Sequence, residues 1–583
     1  MDPTHTRIAP RTRNPIRVAL PLLLAATLGG APFSAAAAGR TVPNFNLLDL
    51  AGRDHELYRA EARVVVLFFT GTGCPIARKS TPKLREIRKQ FGPRGVQVWG
   101  VNSYPDDSAR DALKEYHELG LQPMTYLRDT RQGVALALEV QRTAEVVAIE
   151  TSQWRVLYQG AIDDQFVEGG EIPAPRQQYL AEALEGFLSD KPVPVARTRS
   201  RGCRIAYAEG PAVPSYARDV APLLQRHCVE CHRDGAIAPW AMDGHGRVRN
   251  YARMIEEVLL TRRMPPWDPH PDFGTFANGN TLRREDTQTL IRWVQAGAPR
   301  DEGTDPLAEP LPPRPDWVLG RPDVILRLPE PQEVPATGVV DYRLIRVPNP
   351  FDGEVWIRGT EIRPGNRRVV HHSILYGRWP GAPDDGTGNG AFLCGWAPGS
   401  PPQRFPEGVA QRLPKDAELH IEMHYTTCGS PQTDQTEIAL FLAPGPQPRE
   451  ASVRAAVETD INIPPGVDEA RHVATYAFAR PATLYTLVPH MHVRGDWMKY
   501  ELLLPDGTRE TLLHVPRYDF KWQYYYELAR PRLVPAGAWL LVTGAYDNST
   551  AKPGNPDPGA RVRAGLQSWD EMFIGFFTAA DEP

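Results

Sequence analysis

The chain has 583 residues, and at roughly 150 residues per domain that length excludes a single ordinary domain. Hydrophobic residues make up 42% and charged residues 23%, a globular balance that excludes a disordered or fibrous polypeptide. The net charge of -4 implies no nucleic acid or other polyanionic partner, and the 59 prolines suit short strands, turns and extended linkers.

The N-terminus reads as a targeting segment. Arg7, Arg11, Arg13 and Arg17 precede a short apolar run at 18–28, and Ala35, Ala36, Ala37 and Ala38 follow it. This is the three-part pattern of a secretory signal, so 1–38 is expected to be a signal peptide. The run is shorter than the about 20 residues that cross a bilayer. An uncleaved anchor is the alternative, and the sequence offers no other candidate span. The mature chain is therefore expected to be exported, periplasmic in a bacterium, without a membrane span. In such an oxidising compartment the cysteines can form disulfides, and four of the six (Cys74, Cys203, Cys394 and Cys428) lie outside the motif described below.

Residues 41–190 alternate strand and helix. The apolar run at 64–69 reads as a buried strand, and a Gly-rich turn and Cys74 follow it. A helical stretch runs through Leu84 and Ile87, a second strand lies at 96–101 and a second helix at 112–119. This rhythm implies a mostly parallel sheet. The stretch from Phe68 and Phe69 through Thr70, Gly71, Thr72 and Gly73 to Cys74 and Pro75 resembles the thioredoxin-like redoxin family, which implies an α/β domain. A thiol at a helix N-terminus lies at the positive end of the dipole, which favours the thiolate. The sequence departs from the family at three places. The second cysteine position is Ala77. The proline that faces the thiol falls at Ala144. The threonine of peroxide-reducing relatives is Gly71. Neither dithiol exchange nor peroxidase chemistry is thus supported. Cys74 remains a candidate redox thiol, either free or tied to Cys203.

A basic stretch at 191–213 reads as a linker, and 214–302 as a small helical domain. Cys228, Cys231 and His232 form a C-x-x-C-H motif. Two thiols on one helical turn can add to a haem's vinyl groups while the next residue presents its imidazole to the iron. A disulfide loop or a zinc site is the alternative. The flanking segments 216–224 and 290–299 resemble the entry and closing helices of small c-type cytochrome domains. Met264 is the candidate sixth ligand, with Met242 and Met254 as alternatives, and His/Met ligation suits electron transfer.

A second linker is expected at 303–322. Beyond it, period-2 strands broken by Pro and Gly suggest β-sandwiches. His490 and His492 would share a face on a strand. His371 and His372 can reach one ion only at a bulge or strand end. His420 and His424 lie roughly 13 Å apart along a straight strand, too far for one ion. The series Val370, His371, His372; Trp396, Ala397, Pro398, Gly399; His424, Tyr425; His490, Met491, His492; Tyr546, Asp547, Asn548; and Asp570, Glu571, Met572 resembles the copper type II, ascorbate-dependent monooxygenases. That is the family of peptidylglycine α-hydroxylating and dopamine β-monooxygenases.

The resemblance implies two antiparallel, jelly-roll-like β-sandwich subdomains, at 323–450 and 451–583, and two copper ions across a solvent-filled cleft. It implies that His371, His372 and His424 hold an electron-transferring copper. It assigns His490, His492 and Met572 to the copper that binds dioxygen and substrate, and it suggests a Cys394–Cys428 disulfide. Imidazoles suit copper in both redox states and a thioether favours Cu(I). Val488, Ile574 and Phe576 stand where the peptide-amidating enzymes hold a substrate carboxylate with arginine, asparagine and tyrosine. That departure points to a more apolar small-molecule substrate. The leading expectation is a monooxygenase that hydroxylates a C–H bond with dioxygen. Its electrons would come through the tethered haem, with ascorbate or another reductant as donor. A copper- and haem-binding sensor and a thiol-disulfide oxidoreductase acting through Cys74 are the alternatives.

Overall fold

The computed structural model describes residues 39–582 except 235, 237, 268, 311–314, 383–389, 399 and 446–447. The expected signal peptide, 1–38, and Gly399 lie outside the described residues.

The first region is a seven-stranded sheet. Its centre is three parallel strands, Val64–Thr70, Val96–Asn102 and Thr125–Arg128. The sheet is not mostly parallel, as its rhythm suggested. Val146–Glu150 pairs antiparallel with Val64–Thr70 and then with Arg155–Gly160, while Asn46–Asp49 pairs antiparallel with Thr125–Arg128 and with Asp54–Glu56. Both outer pairs are tight hairpins, whose short loops cannot make the crossover a parallel pair requires. Helix Pro75–Phe91 lays Ala77, Leu84, Ile87 and Phe91 against one face of the sheet.

The stretch at 191–213 is not a bare linker. Ile205 is buried in the core of the first region, Arg204 bridges Arg142 and Arg197 bridges Gln159. Its apolar side chains fill what would otherwise be an open face of the sheet. The expected linker at 303–322 is likewise anchored, by Asp305 at Tyr216 and His245 and by Trp317 against Ala439 and Phe441.

The second region is helical, with Ala221–His227, His245–Asn250, Ala252–Leu260 and Arg284–Gln295 around Trp293. It docks on the first through Leu260 and Ile291 and through Gln288 Nε2, which donates to Gln132 Oε1 at 3.0 Å. Its long loop reaches the third region as an added edge. There Ala277 N–H donates to Glu527 O, and Ala529 N–H to Thr275 O, at 2.8 Å each.

The third region is strand-rich. One sheet runs through it in the order Val324–Arg327, Glu437–Leu442, Val355–Arg363, Val409–Leu413, Arg449–Glu458, Phe573–Asp581, Ala482–His490 and Tyr526–Val534. Two four-stranded sheets lie over its two halves, and a separate apolar core fills each interval. The halves of the large sheet join at a parallel seam of two register pairs, Val409 with Arg449 and Ala410 with Glu450. Among the described residues, no helix is long and apolar enough to cross a membrane.

Candidate functional sites

Four groups of chemistry-bearing side chains stand out, two in the third region and one in each of the others. The first is a histidine cluster on strands Val370–Arg378 and Glu418–Tyr425. Adjacent residues on a regular strand face opposite ways. Here the register shifts between Val370 and His372, and that bulge turns His371 toward the side of His372. His372 lies directly across from His424 in the ladder. A nitrogen from each of the three rings lies within 4.8 Å of the others, and His371 Nδ1 and His372 Nδ1 are 3.3 Å apart. Burial, with the positive Lys521 nearby, lowers His371 to about 4. Burial and the other imidazoles lower His424 to about 2 and hold His372 well below its ordinary value. All three rings are therefore neutral and offer lone pairs. His424 Nδ1 is buried without a hydrogen-bond partner. This donor set fits a copper ion. His420 lies elsewhere, beside Arg378, Glu418 and Arg346.

The second histidine set is built differently from the sequence expectation. His490 ends its strand, and His492 lies beyond it in a turn, so the two do not share a strand face. Their rings are 5.4 Å apart and perpendicular. His490 Nδ1 meets Gln523 Oε1 at 2.8 Å, and His492 Nδ1 meets the Asp570 carbonyl at 3.2 Å. Each ring thus has its Nδ1 fixed and its Nε2 left for a metal. Burial lowers both imidazoles, His492 to about 3. Met572, with His490 and His492, lines a cavity of about 310 Å³. Val488, Ile574 and Phe576 line it too, which gives it an apolar wall.

The two sets are closer than an open cleft would leave them. The Phe520 ring centroid lies 5.1 Å from that of His371 and 5.6 Å from that of His492. The loop after strand Arg509–Val515 carries this ring across the gap. Glu422 also faces the cavity, with a carboxylate oxygen 3.8 Å from His372 Nε2, and burial pushes it up to about 7. The sequence reading passed over both residues. The position of Glu422, two residues from His420 and from His424 on one strand face, was a usable signal. Phe520 had none, since only the path of its loop places it.

In the helical region, Cys228, Cys231 and His232 follow helix Ala221–His227 in a turn closed by His232 N–H donating to Cys228 O at 2.9 Å. They line a cavity of about 560 Å³ together with Met264, Met242 and Met254. His232 Nδ1 meets the Trp240 carbonyl at 3.1 Å, which leaves Nε2 for an iron. Met242 is buried and Met254 is half exposed. Two thiols, an imidazole and thioethers around an apolar cavity of this size fit a covalently held haem.

Cys74 caps helix Pro75–Phe91. Its Sγ lies 2.9 Å from Thr143 Oγ1 and 3.1 Å from Cys203 Sγ. Burial opposes ionisation, but hydrogen bonds from Thr143, the Ala77 backbone and Cys203 outweigh it and lower the Cys74 thiol. Burial and the neighbouring Cys74 raise Cys203. Thr143 therefore occupies the place facing the thiol, with Ala144 beside it at φ 56°. Cys394 and Cys428, paired by the resemblance, are free thiols in this structure. Cys394 meets Thr360 and the Leu375 backbone, whereas Cys428 meets Ser430, so they point to different partners.

Comparison with known proteins covers these regions unequally. The AhpC/TSA family model matches residues 38–162, and this part of the chain is a thioredoxin-like redoxin domain. Thiol-disulfide oxidoreductase ResA of Geobacillus thermodenitrificans is 34% identical over 94 residues, 15% of this chain and 54% of that protein. Peptidyl-glycine alpha-amidating monooxygenase A of Xenopus laevis is 28% identical over 167 residues, 26% of this chain and 17% of that protein. Among solved structures, an uncharacterized conserved protein from Geobacillus kaustophilus is 27% identical. That match covers 30% of this chain and 94% of the other, with a TM-score of 0.28. The chain thus spans about half of the one curated relative and under a fifth of the other.

Proposed function

We propose that the chain is an exported copper-dependent monooxygenase acting on a small, largely apolar substrate, with a covalent haem in the same chain as electron donor. The observation that carries this reading is the approach of two different donor sets to one apolar cavity, which His372 of the three-imidazole set lines together with all of the His/His/Met group. Bound copper supplies one-electron chemistry with dioxygen, and a haem on Cys228, Cys231 and His232 supplies electrons singly.

The chain's own residues prepare the cavity. Gln523 and the Asp570 carbonyl hold the His490 and His492 rings in one tautomer. Tyr342 stacks on His424 at 4.3 Å and limits its rotation. Val488, Ile574 and Phe576 receive an apolar substrate and exclude water, and Glu422 offers a hydrogen-bonding group beside His372.

Folded chain should bind two copper ions and consume oxygen when given a reductant and an apolar substrate. Met572→Ile keeps the volume but removes the sulfur, and should abolish oxygen consumption with the three-imidazole site still filled. His424→Ala should empty that site, whereas His420→Ala should not. Folded protein that binds one copper or none refutes the reading and leaves a sensor or binding protein in its place.

A second reading is thiol-disulfide exchange at Cys74, and the comparisons support it more directly than they support the first. Its carrying observation is the 3.1 Å approach of Cys203, which supplies the second thiol that Ala77 does not. Mass mapping should find Cys74 bonded to Cys203 in oxidised protein. Cys203→Ser should abolish reduction of a disulfide peptide but leave copper binding intact. Unchanged disulfide reduction in that variant excludes the pair.

A further inference from the structure

The haem cavity and the copper cavity are two sides of one wall. Gly395 and Trp396, at the end of strand Ala391–Trp396, line both. Trp396 is buried, pairs with Ser373 in the strand of His371 and His372, and carries the Arg367 guanidinium over its ring at 5.5 Å. The other layer of the wall comes from successive residues. Tyr524 faces the haem cavity and packs edge-on against Trp267, with ring centroids 5.5 Å apart. Tyr525 faces the copper cavity. Two contacts lock this layer: Asn278 Nδ2 donates to the Tyr525 carbonyl at 2.6 Å, and the Tyr525 hydroxyl meets the Gly395 backbone N–H. A Cβ at position 395 would lie 2.7 Å from both the Tyr525 hydroxyl and the Phe392 ring, so only glycine lets the layers meet.

We propose that Trp396, with Tyr524 and Tyr525 behind it, is the internal electron relay between the haem cavity and the copper cavity. The inference rests on the copper and haem reading above. It adds that electrons enter from within the molecule, and where. An external one-electron reductant such as ascorbate restores ferrous haem. Each electron that crosses the wall converts one Fe(II) to Fe(III) and one Cu(II) to Cu(I), and no proton or atom is transferred. A rigid, close-packed wall suits this task, since no part of it has to move between the two cavities.

The test uses the full chain, loaded with haem and Cu(II), reduced at the haem without oxygen and followed by haem absorbance. Acid-acetone extraction and metal analysis first establish that haem and two coppers are bound. If either is missing from folded protein, the underlying reading fails and the relay falls with it. With both bound, haem oxidation should be independent of protein concentration. Trp396→Leu should slow it by about ten-fold with the haem potential unchanged, a rise of about 1.4 kcal/mol in the barrier. Trp396→Phe should restore most of the rate, because an aromatic ring again fills the wall. A wild-type rate in folded, fully loaded Trp396→Leu protein overturns the relay and leaves the metal assignments standing. If Trp396→Leu does not fold, wild type and Trp396→Phe decide, because a rate that rises with protein concentration places the transfer between molecules and overturns it.

Discussion

Glu571 is the residue that ties the second donor set together. Its carboxylate accepts the backbone N–H groups of His492 and Arg494, each at 2.7 Å, and the next residue is Met572. Burial pushes this carboxyl up to about 8, although both backbone donors and Arg494 pull the other way. Glu571→Ala strands two buried N–H groups and frees the turn that aims His492. Copper affinity at the second set should fall about 10- to 100-fold, as losses of outer ligand support do, with the three-imidazole set unchanged in a copper titration. Equal loss at both sets would show a general unfolding instead. At this scale the sequence disclosed the ligand candidates and little of what holds them. His371, His372 and His424 could be named because the order of motifs resembles a known copper family, whereas spacing alone left a choice between His420 and His424. Gln523, Phe520 and Glu571 act through loop paths and backbone contacts that no spacing rule encodes.

Strands Val370–Arg378 and Glu418–Tyr425 act as a unit, because one ladder places all three imidazoles. A break in regular strand geometry there was legible, as a bulge or a strand end, since neighbouring histidines on a regular strand cannot meet at one point, and the ladder shows it to be a bulge. The break after His490 was not, because a His-x-His spacing reads the same on a strand as on a turn. The parallel core of the redoxin sheet was legible in its apolar runs, whereas the antiparallel hairpins at its edges depended on loop lengths. The histidine ladder also fixes a pH dependence. In the metal-free fold, His371 titrates at about 4, against an ordinary value of 6.5. Below pH 6.5 the unfolded chain takes up protons that the folded chain refuses. The stability present above that pH is therefore lost progressively as pH falls toward 4. Denaturation midpoints of metal-free protein should drop between about pH 7.5 and about pH 5. His424→Gln, which removes one titrating ring, should make the drop shallower. An equal slope in both proteins would assign the pH dependence to other groups.

Across the whole molecule, the three regions are joined by specific contacts. Arg517, in the third region, donates to the carbonyls of Thr261 and Arg262 at 2.8 and 2.7 Å, just past the end of helix Ala252–Leu260. It satisfies two carbonyls of the chain leaving the helix and complements the negative end of the helix dipole. Arg517→Ala should cost about 1.5–3 kcal/mol locally, typical of hydrogen bonds to a charged group. Amide exchange should rise at 261–278, the loop that carries Met264, and stay unchanged in the redoxin sheet. Protection preserved at 261–278 would mean that the added edge along Tyr526–Val534 suffices alone. The order of the regions was legible from composition, but their docking was not, because Cys203, Ile205 and Asp305 sit in stretches whose polarity reads as linker. The large sheet of the third region carries one further consequence. Treated as a beam, it has two stiff spans, one under each donor set, welded by the two register pairs at Val409 and Ala410. Flexure of such a beam concentrates at its narrowest weld. The gap between the donor sets is thus set jointly by the elasticity of this short stretch of backbone, which touches neither of them, and by the side-chain packing beside it, where the Phe392 and Phe576 ring centroids lie 5.8 Å apart.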